Sequence, residues 1–147
     1  MLVAMRAALL LVAGCMTRYR AGGLAADPRT QVQQLGCVDV GVEIGRRSEA
    51  KGPVIIVSLG NACEHSVGVD LAALHVVGGN DVGQTVEMIA YDPDHEIRPR
   101  RIDGLVEGTE WIEYQPQGDI ELAWLDVDIG EVIEPARPRW IRLAVAR

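Results

Sequence analysis

From residue 37 onward, apolar and polar side chains alternate with a period of two. Val38, Val40, Val42 and Ile44 fall on one side, and Cys37, Asp39, Gly41 and Glu43 on the other. That alternation predicts a half-buried strand. Residues 45–53 are polar and suit a hairpin loop. Val54-Ile55-Ile56-Val57, continued by Ser58 and Leu59, is apolar on both faces and reads as a central strand. Folding the two antiparallel about position 50 sets Ile44 against Ile56 and Cys37 against Cys63.

The same period recurs along the rest of the chain. Val67, Val69 and Leu71 share a face, Ala72-Ala73 interrupts it, and residues 74–77 resume it before a Gly78-Gly79-Asn80-Asp81 turn. Val86, Met88 and Ala90 alternate next, and Asp92-Pro93-Asp94 turns the chain. Residues 97–102 and 109–115 flank a glycine-containing turn and predict a further hairpin, with Ile112 and Tyr114 facing inward. Ile120, Leu122 and Trp124 form another alternating set, and Ile141, Leu143 and Val145 a last one. No run of helical period is long, so helix content is expected to be low. Seven to nine short strands at this spacing predict an all-β domain, an antiparallel β-sandwich, with a small closed barrel as the competing architecture.

The N-terminus departs from this pattern. Residues 7–14 are an apolar run after a single charge, Arg6, and they end in Val12-Ala13-Gly14-Cys15. The run is too short and too interrupted to span a bilayer. It resembles the lipobox of a bacterial lipoprotein signal peptide: small residues precede the cut, and Cys15 supplies the thiol for acylation. The resemblance implies removal of residues 1–14, lipidation at Cys15, and a place in the bacterial cell envelope. Met16, which is not aspartate, resembles an outer-membrane sorting signal. Polar and glycine-containing residues 15–36 read as the lipidated cysteine and a flexible tether, with the β-sandwich domain over 37–147. A strand or short helix docked through Val32 and Leu35 is the alternative for the tether.

An exported chain also changes the reading of its cysteines. With Cys15 carrying lipid, Cys37 and Cys63 remain, and an oxidising compartment favours a disulfide between them, two free buried thiols being the alternative. The stretch 54–78, with Asn61 and Cys63 between two strands, resembles the immunoglobulin-like sandwiches of exported bacterial lipoproteins. The buried-tryptophan spacing of antibody domains is missing, so a Cys37–Cys63 bond would close a hairpin instead of joining two sheets.

Charge narrows the partners. The 147 residues carry a formal charge of −7, and loss of Arg6 with the signal peptide makes it −8. Such a chain is ill suited to nucleic acid, whose phosphates reward positive charge. Phenylalanine is absent, so valine, isoleucine, leucine and alanine must fill the core.

Candidate chemistry is sparse. Arg98-Pro99-Arg100, with Arg101, and Arg137-Pro138-Arg139 repeat one motif. Side by side, their guanidinium groups would bind a carboxylate or phosphate; apart, proline and charge would protect exposed strand edges. Trp111 and Trp140 each share a strand face with a charged residue, which suits an interface or a ring stacked under arginine. Asp92-Pro93-Asp94-His95-Glu96 offers oxygen ligands for calcium but lacks the glutamate of an EF-hand. Asp126-Val127-Asp128-Ile129-Gly130-Glu131 is a weaker version, read as a charged loop. His65, His75 and His95 share no metal-ligand spacing, and Ser58 lacks the flanking glycine of a nucleophile elbow. The expectation is a non-catalytic, lipid-anchored module that binds an envelope protein without cofactor or metal. A small-ligand or metal-binding sensor, with an anion at the arginines or calcium at the acidic loop, is the alternative, and a hydrolase comes third.

Overall fold

A computed structural model describes residues 18–134 and 137–145; the signal-peptide and Cys15 expectations lie outside them. The alternating valines form β2 (Val38–Gly45), hydrogen-bonded to β1 (Gln31–Leu35) and β3 (Val54–Asn61). The chain continues through β4 (Val67–Val69), β5 (His75–Gly79), β6 (Thr85–Tyr91), β7 (Arg100–Ile102), β8 (Glu107–Pro116), β9 (Trp124–Asp128) and β10 (Trp140–Ala144). Only two short 3-10 turns, Gly23–Ala26 and Leu71–Ala73, interrupt the strands among the described residues.

Eight strands make one antiparallel sheet in the order β1-β2-β3-β8-β6-β5-β9-β10, and β4 pairs with β7 in a separate ribbon. The inner face carries Val40, Val42, Ile55, Val57, Leu59, Ile112, Tyr114, Val76, Leu125, Val127, Ile141 and Leu143, all in one buried cluster. A sheet with one apolar face must cover it. Here it does so by packing its two halves against each other, which makes the fold all-β and sandwich-like. The Gln31 side chain, on one edge strand, donates to the Arg142 carbonyl on the other at 2.8 Å.

The β2–β3 hairpin forms one residue away from the expected register. Ile44 lies opposite Ile55, Val42 opposite Val57, and Val40 opposite Leu59. Strand side chains alternate, so this slip decides which set of β3 residues joins the valines inside. Both cysteines sit beyond the end of the ladder, where the Ala62 amide donates to the Cys37 carbonyl. The buried Asn61 side chain accepts the Cys63 amide at 2.9 Å. That turn brings Cys63 back to Cys37, and the two form a disulfide with Cα atoms 5.3 Å apart.

Other expectations are corrected. Residues 97–102 do not form a hairpin with 109–115: β7 pairs with β4, and β8 instead lies between β3 and β6. Arg98, Arg100 and Arg101 are exposed, and only Ile97 and Ile102 of that stretch pack against the main core. The turn expected at 78–81 begins later, because β5 runs through Gly79. The Trp124 ring lies over Gly79, where an added Cβ would come within 2.0 Å of it. In β9 the buried apolar residues are Leu125 and Val127, the opposite parity to the predicted Ile120, Leu122 and Trp124 set. Asp126 and Asp128 therefore belong to a strand and not to a charged loop.

The expected tether is part of the fold from Tyr19 onward. Asp39, on the outer face of β2, is 3% exposed. A buried carboxylate needs donors, and the N-terminal segment supplies them. The Tyr19 hydroxyl and the Gly22 amide each donate to Asp39 Oδ2 at 2.5 Å. The Tyr19 amide donates to the Leu105 carbonyl at 2.8 Å, and the Leu24 amide donates to the Tyr19 hydroxyl. The ring lies on Gly60, where any Cβ would approach its atoms to 2.0 Å. Thr30 donates to Glu43 at 2.6 Å, and β1 then joins the sheet.

Two consequences can be measured. Replacing Cys63 with serine should cost about 3 kcal/mol in urea unfolding, since it opens a long loop in the unfolded chain; no loss would mean the bond restrains nothing. Burial, then the Asp39 hydrogen bond, pushes the Tyr19 phenol up to about 12, and burial pushes Tyr114 up to about 12. Both folded values exceed the ordinary 10.0. Their contribution to stability is therefore complete below pH 10 and lost as pH rises through 12. Absorbance at alkaline pH should show these two phenols ionising late, together with unfolding.

Candidate functional site

The outer face of β6, β5, β9 and β10 satisfies itself. Residues opposite one another in register share a face, which brings together Glu87, His75, Asp126, Trp124, Trp140 and Arg142. The Trp140 ring meets His75 edge-on with centroids 5.3 Å apart, and His75 Nε2 lies 2.8 Å from Glu87. Arg142 lies 4.2 Å above the Trp124 ring and donates to Asp126 through both Nε and Nη2. Trp140 is thus an aromatic side chain with polar company, although it is 46% exposed.

Trp111 is placed differently. It lies opposite the nearly buried Ile56, is 50% exposed, and makes no ring or cation contact among the described residues. Tyr91, equally exposed, stands across from Glu113, one step diagonally from Trp111. Ile89 extends this exposed apolar row along β6. Tyr91 and Trp111 border a hollow of about 290 Å³, whose other walls include Asp92, Asp94, Glu96, Glu110 and Glu113, with Arg47 and Arg100. Hydrophobic alternation identified Trp111 and left Tyr91 unmarked. The signal for Tyr91 is that β6 pairs with β8, a long-range fact that no local spacing contains.

The two arginine segments do not line one site. Arg100 and Arg101 border a hollow of about 530 Å³ beside Glu131 and Glu134. Arg137 and Arg139 border another, beside Leu35 and Gly36. Arg98 donates to the His95 carbonyl, Arg100 pairs with Glu110, and Arg101 bonds Ser66. Asp128 accepts the Gly130 and Arg139 amides and so fixes the approach to β10. Arg137-Pro138-Arg139 therefore leads directly into an edge strand, where proline and charge discourage pairing between sheets.

Acidic residues of the two candidate calcium segments are similarly occupied. Asp92 accepts the Glu96 and Ile97 amides at 2.8 and 3.0 Å. Burial acts to raise its carboxyl, but the amides of Ile97 and Glu96 outweigh that and hold it below the ordinary value. Asp126 is bonded to Arg142, and Asp128 to backbone amides. Among the described residues no group of three or more histidine, cysteine or acidic side chains is arranged to hold a metal ion. Ser58 faces Thr109 at 3.4 Å. Cys37 and Cys63 are joined, and Cys15 lies outside the described residues.

No family model matches the chain, and neither does any curated protein. Among solved structures it is similar to the crystal structure of the yjhA protein from Bacillus subtilis, at 12% identity and a TM-score of 0.50. The match covers 79% of this chain and 96% of that one. At this identity the likeness is one of fold alone.

The role of Asp128 is testable. Asp128→Ala strips two amides of their acceptor, and each such loss is worth about 1–3 kcal/mol when buried. The variant should unfold at lower urea concentration. An unchanged midpoint would mean that Asp128 does not hold the approach to β10.

Proposed function

We propose that this protein is a non-catalytic, lipid-anchored module of the bacterial cell envelope that docks a partner protein at the Tyr91–Trp111 hollow. The observation that carries the reading is the pair of half-exposed aromatic rings at the edge of a concave, mostly acidic site. Large aromatic side chains next to a pocket are the usual anchors of protein interfaces. Five carboxylates against two guanidinium groups around the hollow would favour a partner segment carrying lysine or arginine. The lipobox-like residues ending at Cys15 support the anchor, and Met16 supports the outer membrane, facing the periplasm or the cell surface. The anion reading has less support, because Arg100 is paired with Glu110 and the second arginine segment borders a separate hollow.

Cross-linking in the native host, followed by recovery through a C-terminal tag, tests the proposal. One partner should be recovered with the wild-type chain and lost with Cys15→Ser. A Trp111→Ala variant should weaken partner binding about thirtyfold, the size of a single hot-spot loss, and reduce recovery accordingly. Equal recovery with Trp111→Ala would place any docking elsewhere, and no partner at all would remove the scaffold reading.

A further inference from the structure

The clamp on Tyr19 bears on how the domain stands at a membrane. Cys15 and Tyr19 are separated by Met16, Thr17 and Arg18 alone. Four residue steps, fully extended, reach about 14 Å. A folded domain of this length has a radius of about 18 Å. The chain between an acylated Cys15 and the fixed Tyr19 is therefore shorter than the body it holds. A flexible tether over residues 16–36 would instead have an end-to-end distance of about 25 Å and would let the domain turn freely.

We infer that, once acylated at Cys15, the protein is held close to the lipid bilayer with the end that carries Arg18, Arg20, Val106 and Glu107 turned toward the lipid. This rests on the anchoring proposed above. The occupant of that end is the bilayer itself, because the chain between Cys15 and Tyr19 is too short for the domain to turn its opposite end to the lipid. Arg18, Arg20 and Glu107 border one shallow depression around Tyr19. Val106 is half exposed beside Leu105, whose carbonyl takes the Tyr19 amide. Electrostatics do not set this orientation, since the basic Arg18 and Arg20 share the end with exposed Asp103 and Glu107. Chain length sets it.

The opposite end follows from the topology. β8 starts at Glu107 and ends at Pro116, about 30 Å away along a strand of its length. The β5–β6 turn, with Val82 exposed at its tip, lies beyond the Pro116 end. Trp111 is four residues along β8 from Glu107, about 13 Å from the lipid-facing end. A partner docked at the Tyr91–Trp111 hollow would thus be held close to the membrane surface.

The test uses the mature, acylated protein in phosphatidylethanolamine–phosphatidylglycerol vesicles carrying a headgroup-attached quencher. A fluorophore is placed on Val106→Cys or on Val82→Cys, with the Cys37–Cys63 bond left oxidised. Quenching should be several-fold greater at position 106 than at 82. Inserting ten glycine and serine residues between Thr17 and Arg18 lengthens the leash without touching the clamp, and should bring the two positions level. Equal quenching at both positions without the insertion would overturn the orientation while leaving the anchor intact. Failure of the acylated protein to float with vesicles would instead overturn the anchor and, with it, this inference.

Discussion

The buried carboxylate of Asp39 sets the terms for the N-terminal third of the molecule. Left alone at 3% exposure on the outer face of β2, it would cost several kcal/mol in lost hydration. The Tyr19 hydroxyl and the Gly22 amide remove that cost, and they come from a segment with almost no apolar periodicity of its own. The segment is therefore held by polar satisfaction and by one aromatic ring, and not by a hydrophobic face. Gly60 completes the arrangement, because the ring occupies the space that a side chain would fill.

The same device appears at the other half of the sheet. Trp124 covers Gly79 on the outer face, and Arg142 covers Trp124 in turn. With no phenylalanine in the chain, the interior is filled mainly by aliphatic side chains, while Tyr19 and Trp124 cover Gly60 and Gly79 on the outer face. Tyr114, the inward aromatic of β8, is the exception. Trp111 shows the contrast: it lies on the outer face with half its surface open, beside the equally exposed Tyr91.

Strand existence was largely legible, because β2, β3, β8 and β10 each carry a clear alternation or a β-branched run. The pairing of Cys37 with Cys63 was legible from compartment chemistry. Register and partnership were not. The β2–β3 slip depends on which β3 face meets the core from the far side of the molecule. The choice of β3 and β6 as neighbours for β8 is a non-local competition that favours apolar strands over the arginine-rich residues 98–101. The alternative of a strand docked through Val32 and Leu35 is realised as β1, but the segment before it, from Tyr19, was missed for a related reason. Its glycines and arginines read as linker, and its partner Asp39 sits in the polar half of an alternating strand, where a solvated side chain is the ordinary expectation. Among the candidate site residues, Trp111 and the arginines were visible locally, whereas the division of the two arginine segments between adjoining hollows that share Ile133 and Glu134 follows only from the folded chain.

Amide hydrogen exchange of the mature protein tests the central claim, that the chain from Tyr19 onward is an integral layer of the domain. The amides of Tyr19, Gly22 and Leu24 donate to Leu105, Asp39 and Tyr19 respectively. They should be protected to nearly the same degree as amides of the central strand β3, and Asp39→Asn should lower that protection selectively. Exchange at Tyr19 and Gly22 at the rate of an unstructured peptide would contradict the account and restore a free tether between the domain and Cys15.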